Sequence, residues 1–202
     1  MKNALRNEAF QPHSACQARE MPAALPSLAV WPVLSGLTFL LRSFGVAYNE
    51  TVVALLDRRG SWPKLRQFTG WMALATVGLH LLIAATPLAF LYFTRFSALS
   101  PDLTRMAQMG FWIALPLPVL SVLQSWFQGA MLYGKRTRGV PESVVIFLIT
   151  ALVALGSGVA VGRWPGLYVA MSGMVLATLA QTAWLWGRSR SVMAVLRERD
   201  FG

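Results

Sequence analysis

The stretch Met106–Gly139 reads MAQMGFWIALPLPVLSVLQSWFQGAMLYGKRTRG. From Gly110 to Tyr133 it is apolar and, at about 1.5 Å of rise per residue, long enough to cross a bilayer. Pro116 and Pro118 interrupt it. Below them Ser121, Gln124, Ser125 and Gln128 recur at helical spacing, which predicts one polar face. The run stops at a cationic turn, Gly134-Lys135-Arg136-Thr137-Arg138-Gly139. Inside a membrane, backbone groups freed by proline must be re-satisfied by protein or water. A polar stripe there must face protein or a cavity. Two readings follow: a seam that fastens helices by hydrogen bonds, or the wall of a transport cavity.

The rest of the chain has the same character. Hydrophobic residues make up 55% of the 202 residues and charged ones 13%, against about 25% charged in a soluble domain. The class is all-α, a polytopic integral membrane protein with about five transmembrane helices. The net charge of +10 does not indicate nucleic acid, because the cations sit in short segments between apolar runs. Cys16 is the single cysteine, and His13 and His80 have no ligand spacing, so no metal site or cofactor is expected. There is no phosphate-binding loop, dinucleotide fingerprint or HExxH. The spans hold no nucleophile–base pair or carboxylate dyad, so no enzyme is expected.

Residues 1–24 read as a disordered polar tail and residues 25–187 as the transmembrane bundle. Its spans are expected at about 25–56, 69–93, 106–133, 141–161 and 167–186. The first holds Arg42, Tyr48, Asn49 and Glu50. A charge at a helix centre costs about 2.5–3.5 kcal/mol on insertion scales. Arg42 and Glu50 therefore belong at an interface, in a buried pair, or on an ion or substrate path. His80 in the second span fits a hydrogen bond to a neighbouring helix. Ser100-Pro101 is expected to start a helix. Ala154, Gly158 and Gly162 are a packing signal in the fourth span. Residues 188–202 form a basic tail, whose Val192, Met193, Val195 and Leu196 suit a short helix lying on the membrane surface.

Basic residues alternate along the chain. Eleven flank the first, third and last spans on their C-terminal sides, against three in the other two loops. The positive-inside rule puts the C-terminus in the cytoplasm, in the inner membrane if the cell is bacterial.

The segment LPLPVLSVLQSWFQGAMLYGKRTRGVPESVVIFLITALV, with GVAVGRWPGLYVAMSGMVLATLAQTAWLW after it, resembles the end of a MATE-type transporter or related flippase. The progressive ankylosis protein group is similar, with a Pro-x-Pro start and a basic turn. Tyr48-Asn49-Glu50 and Asp57-Arg58-Arg59-Gly60 resemble an earlier helix and loop of the same lobe. The resemblance covers residues 25–190 and implies only the C-terminal lobe of that two-lobe fold. It implies export or flipping of a small molecule or lipid-linked substrate by alternating access. The expected partners are the bilayer and a missing N-terminal lobe or a second copy. The expected pathway residues are Arg42, Tyr48, Asn49, Glu50, Gln124 and Gln128. The alternative is a non-transporting membrane scaffold or assembly protein.

Overall fold

Pro116 and Pro118 do break the third span. In the computed structural model, which describes residues 23–58, 60–135 and 137–201, the helix stops at Ile113 and restarts at Leu117. Most of the N-terminal tail, with His13 and Cys16, lies outside the described residues. All of their regular secondary structure is helical. Helix α1 runs Ala24–Leu56, α2 Ser61–Ala85, α3 Pro87–Leu91, α4 Pro101–Ile113, α5 Leu117–Tyr133, α6 Gly139–Val161 and α7 Gly166–Phe201. A π-helical turn, Tyr92–Phe96, follows α3. Counting α4 with α5, five helices are long and apolar enough to cross a membrane, which suggests an integral membrane protein.

Three boundaries differ from expectation. The basic loop expected after the first span is short, because α2 already begins at Ser61. Gly60 makes the turn at φ 74°, a left-handed conformation that glycine adopts freely. Pro63 sits in the first turn of α2, where its missing N–H costs nothing. At its far end α2 stops at Thr86, which is extended at ψ 165° because Pro87 follows. The surface helix expected in the basic tail is instead the last turns of α7, which continues unbroken to residue 201. Ser189, Val192 and Leu196, at 3–4 spacing, are its buried side.

Helix α1 is one seam from end to end. Its buried residues are Ser27, Val30, Leu34, Leu37, Thr38, Leu41, Gly45, Tyr48, Val52 and Leu56. The α4–α5 rod lies along this seam in the same direction. Gly110 meets Leu34, Gly45 meets Ser121 and Val122, and Gly129 meets Val52. α7 runs the same way: the Leu167 N–H donates to Ser27 Oγ at 3.1 Å, and Arg199 Nη1 donates to the Leu56 carbonyl at 3.0 Å. α2 and α6 return antiparallel, α6 hairpinned onto α7 with Gly158 against Val169.

The helix lengths locate the apolar slab. No residue of α6's 18-residue apolar window is buried, as a lipid-facing helix should show. A bidentate ion pair closes one end, with Arg188 donating to Glu142 at 2.7 and 2.9 Å. Gly162 and Arg163 close the other. The slab is therefore the part of α7 from about Leu167 to Trp186. Anchored at the Leu167–Ser27 contact, an equal length of the parallel α1 runs from Ser27 to about residue 46. At 33 residues α1 is about 50 Å long, against a hydrocarbon core of about 30 Å. Its last three turns project beyond the slab with the ends of α5 and α7.

Two apolar cores result. One, within the slab, is built on Val30, Leu34, Leu41, Phe93, Phe111 and Leu117. The other, in the projecting end, is built on Tyr48, Val52, Trp62, Trp126, Val192 and Leu196. A layer of polar side chains separates them.

Candidate functional site

That layer contains most of the residues singled out by sequence. Gln124 Nε2 donates to Gln181 Oε1 at 3.0 Å and reaches the Thr178 carbonyl at 3.4 Å. Gln181 Nε2 in turn donates to Ser143 Oγ at 3.4 Å. One chain of bonds thus links α5, α7 and α6. One turn on, Asn49 Nδ2 donates to Gln128 Oε1 at 3.3 Å, joining α1 to α5. Ser121 Oγ donates to the Pro118 carbonyl at 2.7 Å and lies 3.3 Å from the Arg42 carbonyl. Tyr48 is buried, with its hydroxyl 2.7 Å from Thr69 Oγ1, which fixes α2 to α1. Each of these amides and hydroxyls has an interhelical partner, as polar groups in hydrocarbon require.

His80 answers the proline break. Leu115 N–H bonds the Trp112 carbonyl in the tightened turn, which leaves the Phe111 carbonyl without a helical donor. His80, fully buried, sits 3.0 Å from that oxygen through Nε2 and stacks on the Phe111 ring at 4.0 Å. A carbonyl only accepts, so Nε2 carries the proton. The histidine is a fastener that the break calls for. Its sequence signal was a lone polar residue within reach of two prolines on another span.

Glu50 is exposed, in the projecting part of α1. It is about two turns from Arg42 along the axis, roughly 12 Å, and the two do not pair. The structure thus brings Asn49 and Gln128 together, sets Gln124 and Tyr48 in other contacts, and leaves Glu50 apart.

Arg42 stands differently from the amides and hydroxyls of the polar layer. Its Cα is about one turn inside the slab boundary. Helical side chains lean toward the N-terminus, which takes the guanidinium away from the near interface. It enters a crevice of about 380 Å³ between α1 and α7, lined by Ser35, Gly36, Thr38, Phe39, Met171 and Met174. Arg42 Nε is buried and has no protein acceptor. The hydroxyls nearby are turned to their own helix, Ser35 to the Pro32 carbonyl and Thr38 to Leu34. Of the sequence-selected residues, Arg42 alone lines a groove described here. A second groove, about 760 Å³, runs between α4, α6 and α7, with Met109, Trp112, Val161 and Leu176 in its apolar lining.

At the projecting end lies a cluster that sequence reasoning passed over. Arg199 donates to the Leu56 carbonyl at 3.0 Å, to Tyr133 Oη at 2.8 Å and to Asp200 Oδ1 at 2.8 Å. Asp200 Oδ2 accepts the Trp62 N–H at 2.9 Å, so a residue of α7 caps the first turn of α2. Four helix ends meet there. Searches of protein-family models, curated proteins and solved structures found no match to this chain.

Proposed function

We propose that this chain is one lobe of a membrane transporter or flippase of MATE type, working by alternating access against a second lobe. That lobe is a missing N-terminal lobe or a second copy of this chain. The observation that carries the reading is Arg42, a cation beside the apolar part of the bundle whose buried Nε has no acceptor among the described residues, on a crevice between α1 and α7. An ionisable residue placed so is a functional site by default, since hydrocarbon alone is its costliest surrounding. The five helices, with a proline-broken central rod, agree with the resemblance to a C-terminal lobe. Substrate would pass along the α1 face, with the Arg199 end in the cytoplasm as the basic residues require.

A second reading, a non-transporting scaffold, is favoured by the polar layer, whose glutamines already hold helices together. The two readings differ in whether the α1 face is wet. In a Cys16→Ala background in native membranes, Ser35→Cys should react with a small anionic, membrane-impermeant thiol reagent, and more slowly when Arg42→Gln is added. A cysteine at Ser97, in the loop after α3, is the control. Full reaction at position 97 with none at 35 from either side would leave the scaffold reading.

A further inference from the structure

We propose that Arg42 is the head-group residue of a lateral binding site for a phosphate-bearing amphiphile. The crevice receives the phosphate on the guanidinium and one acyl chain along Phe39, Met171 and Met174. This deepens the transporter reading by giving the chemistry of its ligand, yet binding is read on the purified chain, where no second lobe is needed.

Among the described residues no carboxylate pairs with Arg42: Glu142 is engaged by Arg188, and Glu50 is exposed farther along α1. The carbonyls of its own helix are engaged in the α-helical ladder. Yet a guanidinium offers five donors in a planar fork that matches phosphate oxygens in pairs. In hydrocarbon such a fork needs an anion, and the crevice leaves room for one.

The walls say which kind of anion. Gly36 and Pro32 keep the α1 side low, and a Cβ added to Gly36 would meet nothing within 4 Å. Phe39, in the crevice lining, is 67% exposed, so the crevice opens on the outer face of α1 and not to the bundle interior. Met171 and Met174 supply adaptable, apolar side chains suited to an irregular chain. A charged head beside an apolar, laterally open trough fits an amphiphile that arrives through the membrane. The same phosphate chemistry could come from a lipid of the near leaflet or from a soluble organic phosphate.

The purified full chain, stripped of lipid in mild detergent, is titrated with phosphatidylglycerol and, separately, with glycerol phosphate, and bound ligand is counted by native mass spectrometry. One phosphatidylglycerol should be retained. Arg42→Gln should weaken it roughly tenfold, as loss of one charge-assisted contact implies, and Arg42→Lys by less. Gly36→Leu, which fills the trough but leaves the cation, should weaken it too and covers the case in which Arg42→Gln does not fold. Glycerol phosphate binding as tightly as the lipid, and lost in Arg42→Gln, supports the site with a soluble source. Equal retention of phosphatidylglycerol by the wild type, Arg42→Gln and Gly36→Leu overturns it. Retention as proposed with a dry Ser35→Cys would sink the transporter reading and leave this site standing.

Discussion

Gly45→Ala should unfold or seriously loosen the bundle, although alanine is the better helix former. A Cβ at Gly45 would strike Ser121 Oγ and come within 2.8 Å of the Ser121 carbonyl carbon and the Val122 nitrogen. Those last two are backbone, so neither can swing aside. The α1 and α5 axes must separate, and that pulls apart the Asn49–Gln128 bond and the contact of Gly129 with Val52. Overpacking of this kind costs about 1–3 kcal/mol or more, against up to about 1 kcal/mol gained from helix propensity. Gly78→Ala is the control, since a Cβ there meets nothing within 4 Å. Unfolding in a graded detergent titration should show Gly45→Ala clearly destabilised and Gly78→Ala unchanged or slightly improved. Equal behaviour of the two variants would contradict the close approach of α1 and α5.

Asp200→Ala should strongly destabilise the end of the bundle where the last turns of α7 dock. The Asp200 side chain is fully buried, and its removal leaves the Trp62 N–H and one face of Arg199 without an acceptor. Stranding a buried donor costs about 1–3 kcal/mol, more when it is charged. Arg199→Ala removes bonds to Leu56, Tyr133 and Asp200 at once and should cost at least as much. Arg197→Ala, two residues away and exposed, should cost little. Proteolysis of detergent-solubilised protein should then open the Arg58–Trp62 turn in Asp200→Ala and spare it in Arg197→Ala. Matching digestion patterns would show that the cluster does not hold the helix ends.

The membrane character and the helix count were legible because apolar runs and prolines act locally. What needed the fold were choices between look-alike residues. Gly36, Gly45 and Gly78 read alike in sequence, yet only Gly45 meets another backbone. Gln124 and Gln128 were visible as a stripe, but whether they face water or Gln181 and Asn49 depends on which helices lie beside α5. The 3–4 spacing of Ser189, Val192 and Leu196 was present in the tail. It suited a membrane surface equally well, because Trp62 and Trp126, which cover it, come from distant parts of the chain. Arg42 was visible as an expensive residue. That it leans into a crevice without a partner, while Glu50 stays outside the slab, could not be read from a spacing of eight.

If the chain is one lobe of a transporter, the Arg42 face of α1 should be completed by a second lobe. A photo-crosslinking amino acid in place of Phe39, at the mouth of the crevice, tests it most directly in native membranes. Beside adducts to the lipid held in the crevice, one discrete protein adduct is expected. Its added mass is either a second copy of this chain or a single helical membrane protein joined at fixed stoichiometry, and an unlabelled wild-type chain competes it away. Adducts to lipid alone, with no protein partner at position 39, would contradict the account and leave a bundle that faces only the bilayer.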